Sequence, residues 1–151
     1  MLCIFIHNIP SISNIDSISC GYLFTLALNN NGRVIGWGNL PEAIPQNAQA
    51  RVVKIDCNLK NCLALTCHGD IINWGNIGED DLASIIPNTE FIDIAAGFQH
   101  SLGLRKDGVI MAWGDSDIIK FLPSEEKKYI KIVCGAYHNV AIAEDHTVEC
   151  W

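Results

Sequence analysis

Seven cysteines and five histidines in a chain of 151 residues raise metal binding and nucleophilic catalysis as the first chemistry to weigh. A structural zinc site needs two half-sites, each a close pair of Cys or His. Cys62, Cys67 and His68 lie near one another, but their spacing is not that of a half-site and no second half follows. Serine catalysis needs a hydroxyl beside a base that a third group orients. His100 and Ser101 are adjacent, and neighbours on an extended chain point to opposite faces, so they form no such set. Gly36-Trp37-Gly38 is no phosphate loop, because neither Lys-Ser/Thr nor a helix pattern follows it. The clearest single-sign charge cluster is Glu79, Asp80 and Asp81, which suits a solvated loop and could contact a basic partner surface. We therefore expect no catalytic residue, no metal ligand and no cofactor: the chain is not read as an enzyme.

A repeat positions these residues. Trp37, Trp74, Trp113 and Trp151 stand 37, 39 and 38 residues apart. Ile18, Ile55, Ile94 and Ile132 keep the same steps, as do Leu28, Leu65, Leu104 and Ile142. A period held at three positions fixes the architecture before any local reading. It also reinterprets the reactive side chains. Cys20, Cys57 and Cys134 share one slot with Ala96, so the slot asks for a small apolar group. His100 and His138 share theirs with Phe24 and Asn61, which a ligand set would not tolerate. The tryptophans read as packing residues.

Within each unit, apolar residues alternate, as in Ile92-Ile94-Ala96 and Leu102-Leu104. Short alternating runs bounded by Gly, Asn and Asp predict half-buried strands. Asn31-Gly32, His68-Gly69 and Asp107-Gly108 fall where a second strand turns back, a place that favours positive φ. The fourth unit has Asp145-His146 there, which predicts a looser turn. Fourth, outer strands are expected near Ala43-Ile44 and over Ile118 to Leu122, with little helix anywhere.

The stretch IAAGFQHSLGLRKDGVIMAWGD at 94–115, with its counterparts at 18–39, 55–76 and 132–151, resembles the regulator-of-chromosome-condensation repeat in its short bacterial form. The resemblance covers nearly the whole chain and recurs in register. It departs in the second unit, where Asn58 replaces the first-turn glycine and Asn61 the histidine. It implies an all-β fold, a partial β-propeller of about three and a half blades, with units at about 1–38, 39–75, 76–114 and 115–151. Closure takes about four to eight blades, so the chain reads as a fragment of a longer propeller, with Met1–Ile6 a leftover edge strand. Its two open flanks predict self-association.

Function follows from that resemblance: a protein–protein interaction scaffold with contacts through rim loops, among them Glu79-Asp80-Asp81. Two alternatives come from relatives. One is guanine-nucleotide exchange on a small GTPase, which needs an inserted wedge that no linker is long enough to supply. The other is a proteinaceous enzyme inhibitor. A net charge of −7 disfavours direct binding to nucleic acid or an anionic membrane. No apolar run reaches the roughly 18 residues of a membrane span, and unpaired cysteines suit a reducing, intracellular compartment.

Overall fold

The computed structural model describes residues 11–49, 51–75, 90–114 and 116–151; Met1–Ile6 and Glu79-Asp80-Asp81 lie outside them. The repeat folds as four three-stranded antiparallel sheets. The first holds β1 (Ile15–Cys20), β2 (Phe24–Asn29) and β3 (Val34–Gly38). The second holds β4 (Val52–Asn58), β5 (Asn61–Thr66) and β6 (Ile71–Gly75). The third holds β7 (Phe91–Ala96), β8 (His100–Arg105) and β9 (Ile110–Gly114). The fourth holds β10 (Tyr129–Cys134), β11 (Asn139–Ala143) and β12 (Val148–Cys150). Register repeats with the sequence: Ile18, Ile55, Ile94 and Ile132 pair with Ala27, Ala64, Gly103 and Ala141. Each first strand also shifts register at one place, between Ile15 and Ser17 and at the three equivalent positions. Such a bulge bends the strand and increases its twist.

Two local expectations are corrected. The turn at Asp145-His146 is as tight as the others. His146 adopts φ 65°, close to Gly32 at 74° and Gly108 at 81°. Its amide donates to the Ala143 carbonyl at 2.9 Å, as Gly32 donates to Asn29 at 3.0 Å. The Asp145 carboxylate, accepting from the Thr147 amide at 3.0 Å and the Thr147 hydroxyl at 2.5 Å, braces it. The two predicted outer strands do not form. Pro41 and Pro45 remove ladder donors on either side of Ala43, and Leu40 and Ile44 turn inward onto the core between the first two sheets. Gln46–Gln49 is a short 3₁₀ helix. Ser116–Ile119 is one helical turn, α1, held by Lys120 donating to Asp117 at 3.0 Å.

Successive sheets stack front to back. The back of the first sheet, with Phe24, Leu26, Leu28 and Val34, packs on the front of the second, with Ile55, Cys57, Cys62, Ala64 and Trp74. Leu63 and Leu65 meet Ile94, Ala96 and Trp113 in the same way. Leu102, Leu104 and Ile110 meet Ile132, Ala141 and Trp151. Burying one such aliphatic side chain is worth about 1.5–3 kcal/mol, so these three interfaces hold the sheets together. A main-chain bond reinforces each: Val52, Phe91 and Tyr129 amides donate to the carbonyls of Gly32, Gly69 and Gly108 at 3.0, 3.1 and 2.9 Å. First strands touch in series, β1 to β4 to β7 to β10, and the sheets fan out from them as propeller blades.

The arc stays open. Ile18 on the front of the first blade is 67% exposed, whereas Ile55, Ile94 and Ile132 are 5%, 1% and 1% exposed. Val148 on the back of the fourth blade is 62% exposed, whereas Val34 is 1% exposed. At both repeat positions the residues facing a neighbouring blade are buried or, at Ile71, half-buried, and the end residues Ile18 and Val148 are exposed. The fold is all-β, a partial propeller.

Candidate protein-interaction surface

The two histidines at one repeat position meet different fates. His100 is buried and its Nε2 bonds Oδ1 of Asn139 in the next blade at 2.7 Å. His138 is exposed. One joint earlier, Asn61 Nδ2 donates to Ser101 Oγ at 2.8 Å and to the His100 carbonyl at 3.2 Å. At the first joint Phe24 and Cys62 occupy these two positions in one apolar cluster. Ser101 thus accepts from an amide and is no nucleophile with a base. A second relay runs from Trp113 Nε1 to Asn73 Oδ1 at 2.8 Å, then from Asn73 Nδ2 to Asn61 Oδ1 at 2.9 Å. In the neighbouring blades Gly36 and Ala112 stand in the place of Asn73, and Trp74 and Trp151 have no partner for Nε1 among the described residues.

The shared cysteine slot is a packing slot where a blade covers it. Cys57 is buried and donates to Ser19 Oγ at 3.3 Å. Burial pushes its thiol up to about 12, and pushes the thiols of Cys62 and Cys134 up as well. These groups stay protonated at neutral pH and are poor nucleophiles or ligands. Among the described residues no group of three or more His, Cys, Asp or Glu is arranged to hold a metal. Asp56 ties three blades: its Oδ1 accepts from the Ser19 hydroxyl at 3.1 Å and its Oδ2 from the Ala96 amide at 2.8 Å. Burial holds this carboxyl above the ordinary value of 3.8.

The strands also separate two unlike rims. One is formed by the turns between second and third strands and is polar. Arg105 pairs with Asp107 at 2.6 Å and Lys106 with Glu90 at 2.7 Å there, in solvent. The other is formed by the loops between first and second strands and is apolar. Tyr22 and Tyr137 are 69% and 65% exposed, and Leu23 is exposed beside them. Phe98 and Tyr137 stack with ring centroids 5.2 Å apart at 43°. Neighbouring loops are joined, Tyr22 amide to Leu59 carbonyl at 3.1 Å and Phe98 amide to Ala136 carbonyl at 3.2 Å. Sequence reasoning missed this rim because it weighed charges. The available signal was a large apolar residue after each first-turn glycine or its Asn58 counterpart: Tyr22, Leu59, Phe98, and Tyr137 one place later.

Comparison with known proteins agrees with this geometry. Residues 15–39 and 91–117 match the model of the Regulator of chromosome condensation (RCC1) repeat. Protein pim1 of Schizosaccharomyces pombe is 22% identical over 167 residues, covering 93% of this chain and 28% of pim1. The solved structure of Prp20p from Saccharomyces cerevisiae superposes with a TM-score of 0.75 at 22% identity, covering 95% of this chain and 47% of Prp20p. The CRINKLY WD40 ectodomain of the Arabidopsis thaliana receptor kinase ACR4 gives a TM-score of 0.74 at 18% identity, over 91% of this chain and 49% of that one. The chain thus spans about a quarter to a half of these relatives. Two of its units thus match the Regulator of chromosome condensation (RCC1) repeat, and all four sheets share the blade fold of these solved structures.

Proposed function

We propose that this chain is a protein-interaction scaffold that binds a protein partner through its apolar rim, with Tyr22, Leu23, Phe98 and Tyr137 as the contact residues. The observation that carries this reading is the exposure of Tyr22 and Tyr137, each on a loop bonded to the loop of the adjacent blade. Aromatic side chains are enriched at the centres of protein interfaces, and Tyr22 with Leu23 and Tyr137 with Phe98 present two such groups on this rim. Glu79, Asp80 and Asp81 would add an acidic contact for a basic segment of the partner. Exposed thiols at Cys20, Cys67 and Cys150 favour a reducing, intracellular compartment. Self-association through the two open flanks belongs to the same reading.

A small GTPase is the second reading for the partner. It is favoured by the likeness to Prp20p, a structure reported together with its binding to Gsp1p and histones. The test is capture of partners on immobilised wild-type chain and on the double variant Tyr22→Ser/Tyr137→Ser, with Asp107→Ser on the polar rim as control. Partners retained by wild type and the control but lost from the double variant support the apolar rim. Equal retention by all three overturns it. Nucleotide-release assays on a GTPase panel decide the second reading.

A further inference from the structure

We infer that the partner segment bound at the apolar rim carries an acidic residue between apolar ones, with its carboxylate on Lys60. This rests on the reading of that rim as the binding surface, and it specifies the chemistry of the partner. The rim's loops follow the blade order: Gly21-Tyr22-Leu23, Asn58-Leu59-Lys60, Gly97-Phe98-Gln99 and Gly135-Ala136-Tyr137. Lys60 is the one charged residue among them, in the place that Leu23, Gln99 and Tyr137 take in the other blades.

Its position is fixed on both sides. The residue before it, Leu59, accepts from the Tyr22 amide through its carbonyl at 3.1 Å. The residue after it, Asn61, donates through Nδ2 to the carbonyl of His100 at 3.2 Å, two residues beyond Phe98. Lys60 therefore stands between Tyr22 with Leu23 on one side and Phe98 with Tyr137 on the other. It lies in the second blade, which has a packed neighbour on each side. The side chain is exposed and makes no ion pair or hydrogen bond with any described residue. On the polar rim, by contrast, Lys106 and Arg105 have their own carboxylates in Glu90 and Asp107.

A partner that rests on both aromatic groups has to cross Lys60 and take its ammonium out of water. A charge buried without a counter-charge is strongly unfavourable. A facing carboxylate turns that penalty into a charge-assisted hydrogen bond, whereas a cation in the same place adds repulsion. The side chains flanking Lys60 ask for apolar groups on either side of the carboxylate. The partner chemistry is thus apolar, acidic, apolar, read along the rim from the first blade to the fourth.

The test pans a displayed library of random short peptides on the immobilised chain. Enriched peptides are then titrated onto wild type, Lys60→Glu, Lys60→Gln and the Tyr22→Ser/Tyr137→Ser double variant, each checked for folding by circular dichroism. The peptides should share an Asp or Glu between apolar residues. They should bind Lys60→Glu more than about tenfold more weakly than wild type, and Lys60→Gln with a smaller loss. Replacing the shared acidic residue by Lys should reverse the order, making Lys60→Glu the better binder, and added salt should shrink both differences. Peptides lost from the double variant but held equally by wild type and Lys60→Glu overturn the carboxylate contact and leave the rim as the binding surface. Peptides held equally by wild type and the double variant bind elsewhere and overturn the rim reading too. A library that yields no binder overturns the acidic segment alone, because capture of whole proteins decides the reading beneath it.

Discussion

A Cβ placed on Gly97 would lie 2.0 Å from Cε1 of His100. The same holds for Gly21 against Phe24 and Gly135 against His138, each at 2.1 Å. None of these three glycines sits at positive φ; they are glycines because an aromatic ring is folded onto their α-carbons. The second blade has neither partner, with Asn58 and Asn61 in the two positions, so its two departures from the pattern are one departure. Gly135→Ala should therefore cost about 1–3 kcal/mol, the range for overpacking. In a His138→Asn background it should cost under about 1 kcal/mol, because the ring is gone. Denaturant midpoints for the four members of this cycle measure the coupling, and additive costs would show that the ring is not what demands glycine.

His146→Gly should stabilise the protein by up to about 1 kcal/mol. A left-handed non-glycine residue costs about 1–2 kcal/mol, of which glycine's greater chain entropy returns about 0.5–1. His146 is exposed, so little packing is lost. Urea unfolding of the two proteins checks this.

Asp56 predicts a pH dependence. Burial raises its folded pKa above 3.8, against the opposing pull of the Ala96 amide, the Ser19 hydroxyl and Lys54. Protonation then favours the folded state: the contribution is full below about pH 3.8 and is lost as pH rises through the higher folded value. The stability of wild type relative to Asp56→Ala should thus decline as pH rises from about 3 toward neutrality. A difference that grows over that range would place the carboxylate in a site that favours its charge.

Thiol labelling separates the cysteines. In the native protein Cys67, exposed on the polar rim, should react readily with iodoacetamide. Cys57 and Cys62, buried and with raised thiols, should react only after denaturation. Native mass spectrometry should find no bound zinc; stoichiometric zinc would overturn the packing assignment of the shared cysteine slot.

Trp113 and Trp37 occupy one repeat position, but Trp113 is 2% exposed and Trp37 is only half-buried at the open front. Trp113→Ala should cost about 3–5 kcal/mol and strand the Asn73 amide that now accepts its N–H. Trp37→Ala should cost distinctly less. Equal shifts in thermal midpoint would mean that the neighbouring blade contributes nothing at this position.

The fold was legible because the period of 37 to 39 residues and the alternation of Ile, Leu and Trp both report the same buried faces. Part of what escaped reading depends on residues a whole period apart. Asn61 looked like a lapse from histidine; only the stacked blades show it bonded to Ser101, with Asn73 and Trp113 completing the relay. The turn at His146 looked loose because glycine was missing, yet Asp145 and Thr147 supply the bracing that fixes its φ. The predicted outer strands failed because Leu40 and Ile44 bury themselves between blades instead of alternating along an edge. The apolar rim was overlooked because single aromatic residues in loops carry no periodic signal until four loops are set side by side.

The changing pair at the blade joints has a consequence for how such a chain can be rearranged. Phe24 sits with Cys62, Asn61 with Ser101 and His100 with Asn139, so each joint is keyed and each blade carries halves of two different keys. Transplanting a whole blade would set His against Cys or Phe against Asn and leave a polar atom stranded at both borders. A cut through the middle of two blades, carrying a joint intact, would move freely. The exchangeable module of this protein is the seam between blades, not the blade.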